Sequence, residues 1–257
     1  MKKLALFLIC IVFIIFSAGA FAQTPKILKT KGDVKVKKAG QDTWKKAQKN
    51  MSVDKGDQIK TGSKSQAIVA FDERADKAVR IEELTEIRLN EIEPPRRQIE
   101  LPRGDLFSKI ENLEANSTFE IKTPTSVAGV RGTGWKTGFR NKEASVAVFD
   151  GSVNFAGRTF MQGEAGLFRD GRLTVGRLLD ADRDRWDSFR NDVRDIKGLE
   201  SKERQIERSE RVAPMVERTV EQIEQTSERR FDDTRQQEKL EERQKPSTGD
   251  ENQYIVR

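Results

Sequence analysis

The chain has no histidine, one cysteine and one tyrosine among its 257 residues, and aromatics make up only 7% of it. Without histidine there is no Ser-His-Asp or Cys-His nucleophile system and no imidazole acid or base. Tetrahedral zinc sites lose their usual ligands for the same reason. The one cysteine, Cys10, lies inside an apolar run rather than at its end behind a small residue, which argues against lipidation there. No disulfide framework is available to a chain with a single cysteine. Acidic residues are plentiful, but they stand beside Lys or Arg as on a solvated surface, and no EF-hand spacing occurs. The expectation is a protein that is not an enzyme and that uses neither cofactor nor metal.

A long apolar run is also lacking after the N-terminus. Lys2 and Lys3 form a short positive flank, Leu4 to Phe16 is uninterrupted apolar sequence, and Ala20-Phe21-Ala22 offers small residues at the two positions a signal peptidase reads. This predicts a cleaved export signal over 1–22, in preference to an uncleaved anchor, and a mature chain without a membrane span in a bacterial periplasm or secreted. Charged residues make up 35% of the chain and hydrophobic residues 35%, signal included, too little to bury 257 residues in one globule. A compact domain over 23–176, a charged helical extension over 177–244 and a disordered tail over 245–257 are expected. The net charge of +6 is unevenly spread: the first part is net positive, and the segment from Arg177 to Arg257 is slightly negative. It reads chiefly as solvated lysine and arginine, with no block interleaved with aromatics, so nucleic acid is not expected as a partner.

Between Lys31 and Val175 the pattern is that of short strands. Val34 and Val36 alternate with lysines, Ala67 to Phe71 has the length of a strand buried on both faces, and Phe119 and Ile121 alternate before Pro124 stops the ladder. Asp150-Gly151 and Asp170-Gly171 read as type I′ hairpin turns. Arg103-Gly104-Asp105 reads as a turn into the next strand rather than an adhesion tripeptide. After Gly176, Leu179, Trp186, Phe189, Val193 and Ile196 recur on one helical face, predicted to pack back on the sheet and cap an open end of it. Gly198 and Pro214 interrupt this pattern, and the helix beyond them is expected to be solvent-exposed, weakly coiled with a partner, or only partly formed.

The stretch from Phe119 to Thr133 includes Thr123, Pro124, Val130, Arg131 and Gly132, and is followed by Val146 to Val153 with Gly151. Upstream stand Gly32 and Asp33, then Trp44, then Gly56 and Asp57, then Thr61 and Gly62. Together these resemble the signature of the ferric citrate regulator (FecR) domain family over about Gly32 to Val153. The resemblance implies a mainly β fold: an antiparallel sandwich, a roll or a short solenoid. It also implies regulation through contact with an outer-membrane receptor. Family members commonly place a Gly where this chain has Asp72-Glu73-Arg74. They typically carry a cytoplasmic segment that touches a sigma factor. Here the export signal abuts the domain, so a direct grip on a sigma factor is not expected. Gly132 is expected to allow a bulge or close strand approach, and Arg131 to pair with a buried carboxylate or to serve recognition. The expected function is a non-catalytic periplasmic protein-interaction or signal-relay module, binding a protein or cell-envelope component. The alternative is a structural envelope protein that forms a homo-oligomer or tethers through its helix.

Overall fold

The computed structural model describes residues 24–130 and 132–244. The expected export signal, Cys10, Arg131 and the expected tail lie outside the described residues. Strands account for 49% of the chain. In chain order they are β1 (Lys26–Lys31), β2 (Val34–Lys37), β3 (Lys45–Lys46), β4 (Gln58–Thr61), β5 (Gln66–Ala70), β6 (Lys77–Ile81), β7 (Glu86–Glu91) and β8 (Arg96–Ile110). There follow β9 (Thr118–Lys122), β10 (Val127–Val130), β11 (Thr133–Arg140), β12 (Glu143–Asp150), β13 (Ser152–Phe155), β14 (Arg158–Met161), β15 (Glu164–Arg169) and β16 (Arg172–Arg177), and then one helix, α1 (Asp180–Gln244).

The strands form two layers joined through β8. The outer layer runs β3–β2–β4–β7–β8–β9–β10–β13–β14, and the central layer runs β1–β5–β6–β8–β11–β12–β15–β16. The N-terminal half of β8 pairs with β7 and β9, and its C-terminal half with β6 and β11. The strand turns from one layer to the other at Gly104, whose φ is +106°. A Cβ there would stand 2.2 Å from Thr85 Oγ1, so only glycine fits. Arg103-Gly104-Asp105 is therefore a kink inside a strand, not a turn between strands. All pairings are antiparallel except β8 with β9, which is parallel. From β9 onward the chain lays one hairpin in the outer layer, the next in the central layer, and repeats, so a sandwich in section is wound as a roll.

This winding corrects the reading of Asp150-Gly151. β12 and β13 do not pair with each other: β12 pairs with β11 and β15, and β13 with β10 and β14. Gly151 (φ +71°) carries the crossover between layers, and Asp150 is not in the left-handed region. Asp170-Gly171 is a true hairpin turn with both residues at positive φ, as are Asn141-Lys142 and Ala156-Gly157. At Asp72-Glu73-Arg74, Ala75 takes the positive φ of 50°, and the Asp72 carboxylate accepts the Asp76 N–H at 2.8 Å.

Between the layers, period-two alternation packs Val34, Val36, Ile59, Val69, Val79, Ile99, Ile121 and Val148 around Phe71, Phe119 and Trp135. Phe119 meets Phe71 edge-on at 5.3 Å and Trp135 at 6.2 Å. The Trp135 indole N–H donates to Thr137 Oγ1 at 2.9 Å. β5 is buried on both faces, as its apolar run predicts.

The other face of the central sheet holds a second cluster: Ile68, Ala70, Ala78, Phe107, Ala147 and Phe149 against Trp186, Phe189 and Val193 of α1, with Ile196 half-buried at its margin. The helix thus covers a sheet face rather than capping an end. Leu179 is 67% exposed, and Leu178 is buried in its place. The cause is local: Leu179 precedes the helix, and its carbonyl accepts the N–H groups of Asp182 and Arg183. α1 runs through both Gly198 and Pro214. The β body and α1 as far as Gly198 form one compact unit, and residues from Leu199 onward form a second.

Asp57 stitches the loop before β4 to the end of β2. It is 1% exposed and accepts hydrogen bonds from Lys38 Nζ (2.7 Å), the Ala39 N–H (2.9 Å) and the Asp54 N–H (2.9 Å). Asp57→Ala leaves these donors without their acceptor and is expected to cost about 2–3 kcal/mol, measured as a lowered denaturation midpoint with an unchanged m-value.

Candidate interaction face and helix socket

β9 and β10 form a hairpin closed by Thr123: its N–H donates to the Ser126 carbonyl at 2.8 Å, and its hydroxyl accepts the Ser126 N–H at 3.0 Å. Pro124 sits in this turn, where no ladder donor is needed. The inward residues Phe119, Ile121, Ala128 and Val130 are core. The outward residues Thr118, Glu120, Val127 and Gly129, with Ser152 and Asn154 of β13, line a shallow groove of 440 Å³. Gly129 leaves its floor without a side chain. Glu120 is held in place by Arg96 Nη2 (2.8 Å) and Gln98 Nε2 (2.9 Å). Beside the groove runs β14, which pairs with β13 alone among the described strands and exposes 57% of Met161.

Immediately after β10 the chain changes layer. Gly132 has a φ of +106°, a Cβ at Gly151 would stand 2.7 Å from Thr133 Cγ2, and the ladder between β11 and β12 slips at Gly134–Trp135. The bulge expected near Gly132 thus lies two residues on. A Cβ at Gly134 would stand 2.3 Å from Trp186 Cζ2, so this glycine is the floor of the helix socket. Trp186 stacks on Phe149 with centroids 5.0 Å apart and planes 7° from parallel.

Polar ties surround the socket. Arg80, 2% exposed, lies between the rings of Phe107 (5.0 Å) and Phe189 (5.3 Å), donates to Glu82 Oε1 at 2.5 Å, and donates to the Arg185 backbone carbonyl at 2.7 Å. Lys136 meets Asp182 at 3.0 Å, Lys29 meets Asp192 at 2.7 Å, and Lys197 meets Asp76 at 2.7 Å and Glu111 at 3.2 Å. Burial pushes the Asp76 and Glu111 carboxyls up. Hydrogen bonds and charge, from Lys197 at Asp76 and from Lys109 and Lys197 at Glu111, outweigh it and hold both below the usual range. Glu114, bonded by Arg97, is lowered from 4.5 to about 2.

The structure gathers Val130, Gly132, Thr133, Gly151, Trp186 and Phe189 around one crossover, and leaves the other motif residues elsewhere. Asp33 and Gly62 lock a turn, with the Gly62 N–H on the Asp33 carbonyl at 2.8 Å and the Asp33 N–H on Ser65 Oγ at 2.8 Å. Gly32 sits against the same Ser65. Thr61 donates to the Glu82 carbonyl at 2.5 Å. Trp44 lies beside β2 and β4, at the other end of the outer sheet from β10. Arg80 and Gly134 were not anticipated. The only signal for Arg80 is a single cation inside the apolar run of β6. Among the described residues no group of His, Cys, Asp and Glu is placed to hold a metal ion.

Residues 57–154 match the FecR protein family. The match begins at Asp57, in the loop before β4, and ends at Asn154 in β13, so it includes both the groove hairpin and the crossover. Two crystal structures of a protein described as an anti-sigma factor candidate, from Parabacteroides distasonis, are similar over 47% of this chain and 59% of theirs, with a TM-score of 0.41 and 15% identity. The chain thus spans less than two thirds of those proteins. No curated protein matches it.

Gly134→Ala drives a methyl into the Trp186 indole and is expected to cost about 1–3 kcal/mol. In a Trp186→Ala background the same change is expected to cost far less, so a double-mutant cycle of unfolding free energies checks the contact. For Asp76, Glu111 and Glu114, stability is fully present above their ordinary values near 4–4.5 and is lost as pH falls through the lowered folded values. Stability measured from pH 6 downward should fall between about 4.5 and 2, and Glu114→Gln should flatten that limb.

Proposed function

We propose that the chain is an exported, non-catalytic FecR-domain protein that works as a periplasmic protein-interaction or signal-relay module. The observation that carries this reading is the open groove over β9, β10 and β13, flanked by β14, which pairs with β13 alone among the described strands. An extended segment of a partner protein laid beside β14 gains main-chain hydrogen bonds, and the groove receives its alternate side chains. The crossover at Gly132–Gly134 joins that face to the Trp186 socket, giving an occupied groove a path to the helix. In this reading residues 1–22 are removed on export, 23–176 serve as binding domain with the helix as far as Gly198 packed on it, the rest of 177–244 serves as helical extension, and 245–257 as tail. Arg131 contributes to recognition or to a buried pairing.

A second reading, a structural envelope protein that self-associates through its helix, is favoured by the exposed Leu199, Val212 and Met215 on the second unit. Light scattering separates the two, comparing the chain from Gln23 with one ending at Gly198, which keeps Trp186 and Phe189 on their sheet. Loss of an oligomer on truncation supports the structural reading.

The direct test of the first reading is in-cell photo-crosslinking from Val127 and Asn154, followed by mass spectrometry. Capture of an envelope receptor or regulator from these positions, and not from the exposed Lys142, is expected. Capture of only the protein itself or of peptidoglycan-linked proteins overturns signal relay.

A further inference from the structure

The outer sheet has a second distinctive face, at the opposite end of its strand order from the groove. Lys46, Lys35 and Lys60 stand directly opposite one another on the neighbouring strands β3, β2 and β4. Lys37 lies one pleat further along the same face, as the burial alternation of β2 shows. Strands about 4.8 Å apart bring these ammonium groups together, and like charges opposed in a ladder destabilise it. Internal compensation is slight. Asp33 meets Lys35 at 3.3 Å, Glu86 is the register partner of Lys60, and Asp42 lies in the loop before Trp44. Among the described residues Lys37, Lys46 and Lys60 form no ion pair. Trp44, half-buried, holds two of them: Lys60 Nζ is 4.0 Å and Lys37 Nζ 5.4 Å from its ring centroid.

We propose that this lysine face around Trp44 seats the protein on an anionic lipid headgroup surface. A pleated sheet face offers a plane rather than a concave pocket. Ammonium groups act as compact point charges that meet phosphates without the fixed fork of a guanidinium. The indole among them is the side chain favoured at a membrane–water boundary. Each lysine near an anionic surface contributes about fivefold to partitioning, so four together contribute several-hundredfold at low salt. The attraction fades within a Debye length of about 10 Å at 0.1 M salt. This seat is independent of the groove, and it leaves β10, β13 and β14 at the far end of the sheet.

The test is co-sedimentation of the chain from Gln23, which holds every described residue, with vesicles of phosphatidylcholine containing about one third phosphatidylglycerol, and with pure phosphatidylcholine. Binding is expected only to the anionic vesicles, with loss at high salt and a blue shift of Trp44 emission. Lys37→Gln with Lys60→Gln should weaken it about 25-fold without lowering the melting temperature, and Lys142→Gln at a distant hairpin tip should change nothing. Equal binding to both vesicle types overturns the proposal, as does a folded four-lysine Gln variant that still binds. Retention on a soluble polyanion with no vesicle binding also overturns it, in favour of a soluble acidic polymer. Should the four-lysine variant fail to fold, the single substitutions decide by the same readout.

Discussion

The central sheet is apolar on both faces, and the rest of the structure follows from the need to cover both. Along β5, Ala67 and Val69 point into the space between the layers, while Ile68 and Ala70 point the other way. Phe107, Ala147 and Phe149 enlarge that second face beyond what a solvated sheet tolerates. Two-sided burial of this kind demands a layer on each side, and the chain supplies the outer sheet on one and the first turns of α1 on the other. Each large apolar side chain buried contributes about 1.5–3 kcal/mol. The helix as far as Gly198 is accordingly part of the β domain's fold and not an appendage to it.

Apolar contact alone would let a helix slide along the sheet. Arg80 removes that freedom, because its guanidinium is fixed by Glu82, clamped between Phe107 and Phe189, and bonded to one particular carbonyl of α1, that of Arg185. A buried pair of this type returns little net stability for its desolvation. What it supplies here is position, and Lys136–Asp182 and Lys197–Asp76 repeat the constraint a turn before and several turns after.

Much of the strand inventory was legible, since period-two alternation writes the inward residues of β2, β4, β9 and β13 directly into the sequence. The winding was not. An Asp-Gly pair signals a reversal that glycine's φ permits, but it does not say whether the next strand pairs with its predecessor or leaves for the other layer. Asp170-Gly171 does the first and Asp150-Gly151 introduces the second. The helical stripe was readable at Trp186, Phe189 and Val193, and failed at Leu179, where the backbone is not yet helical. Of the candidate residues, Val130, Gly132 and Thr133 lie together because they are close in sequence, whereas Gly151 and Trp186 are brought to them by the β11–β12 hairpin and by α1. Gly32, Trp44 and Asp57 serve local turns and another face. Gly134 could not be singled out in a glycine-rich run, because its reason is an indole more than fifty residues away.

β8 and the hairpin tips differ in the changes of length they tolerate. The two halves of β8 set the registers of both sheets, and side chains alternate in and out along each half, with the phase changing at the Gly104 kink. One residue gained or lost within Arg96–Ile110 would invert every later side chain of the strand and shift the partners of either β6 and β11 or β7 and β9. At Asn141-Lys142 or Asp170-Gly171, by contrast, added residues lengthen a loop in solvent. Sequence drift in length is therefore free at the rims of this domain and closed along its shared strand, so the fold can acquire new loops readily but can hardly re-space its two layers.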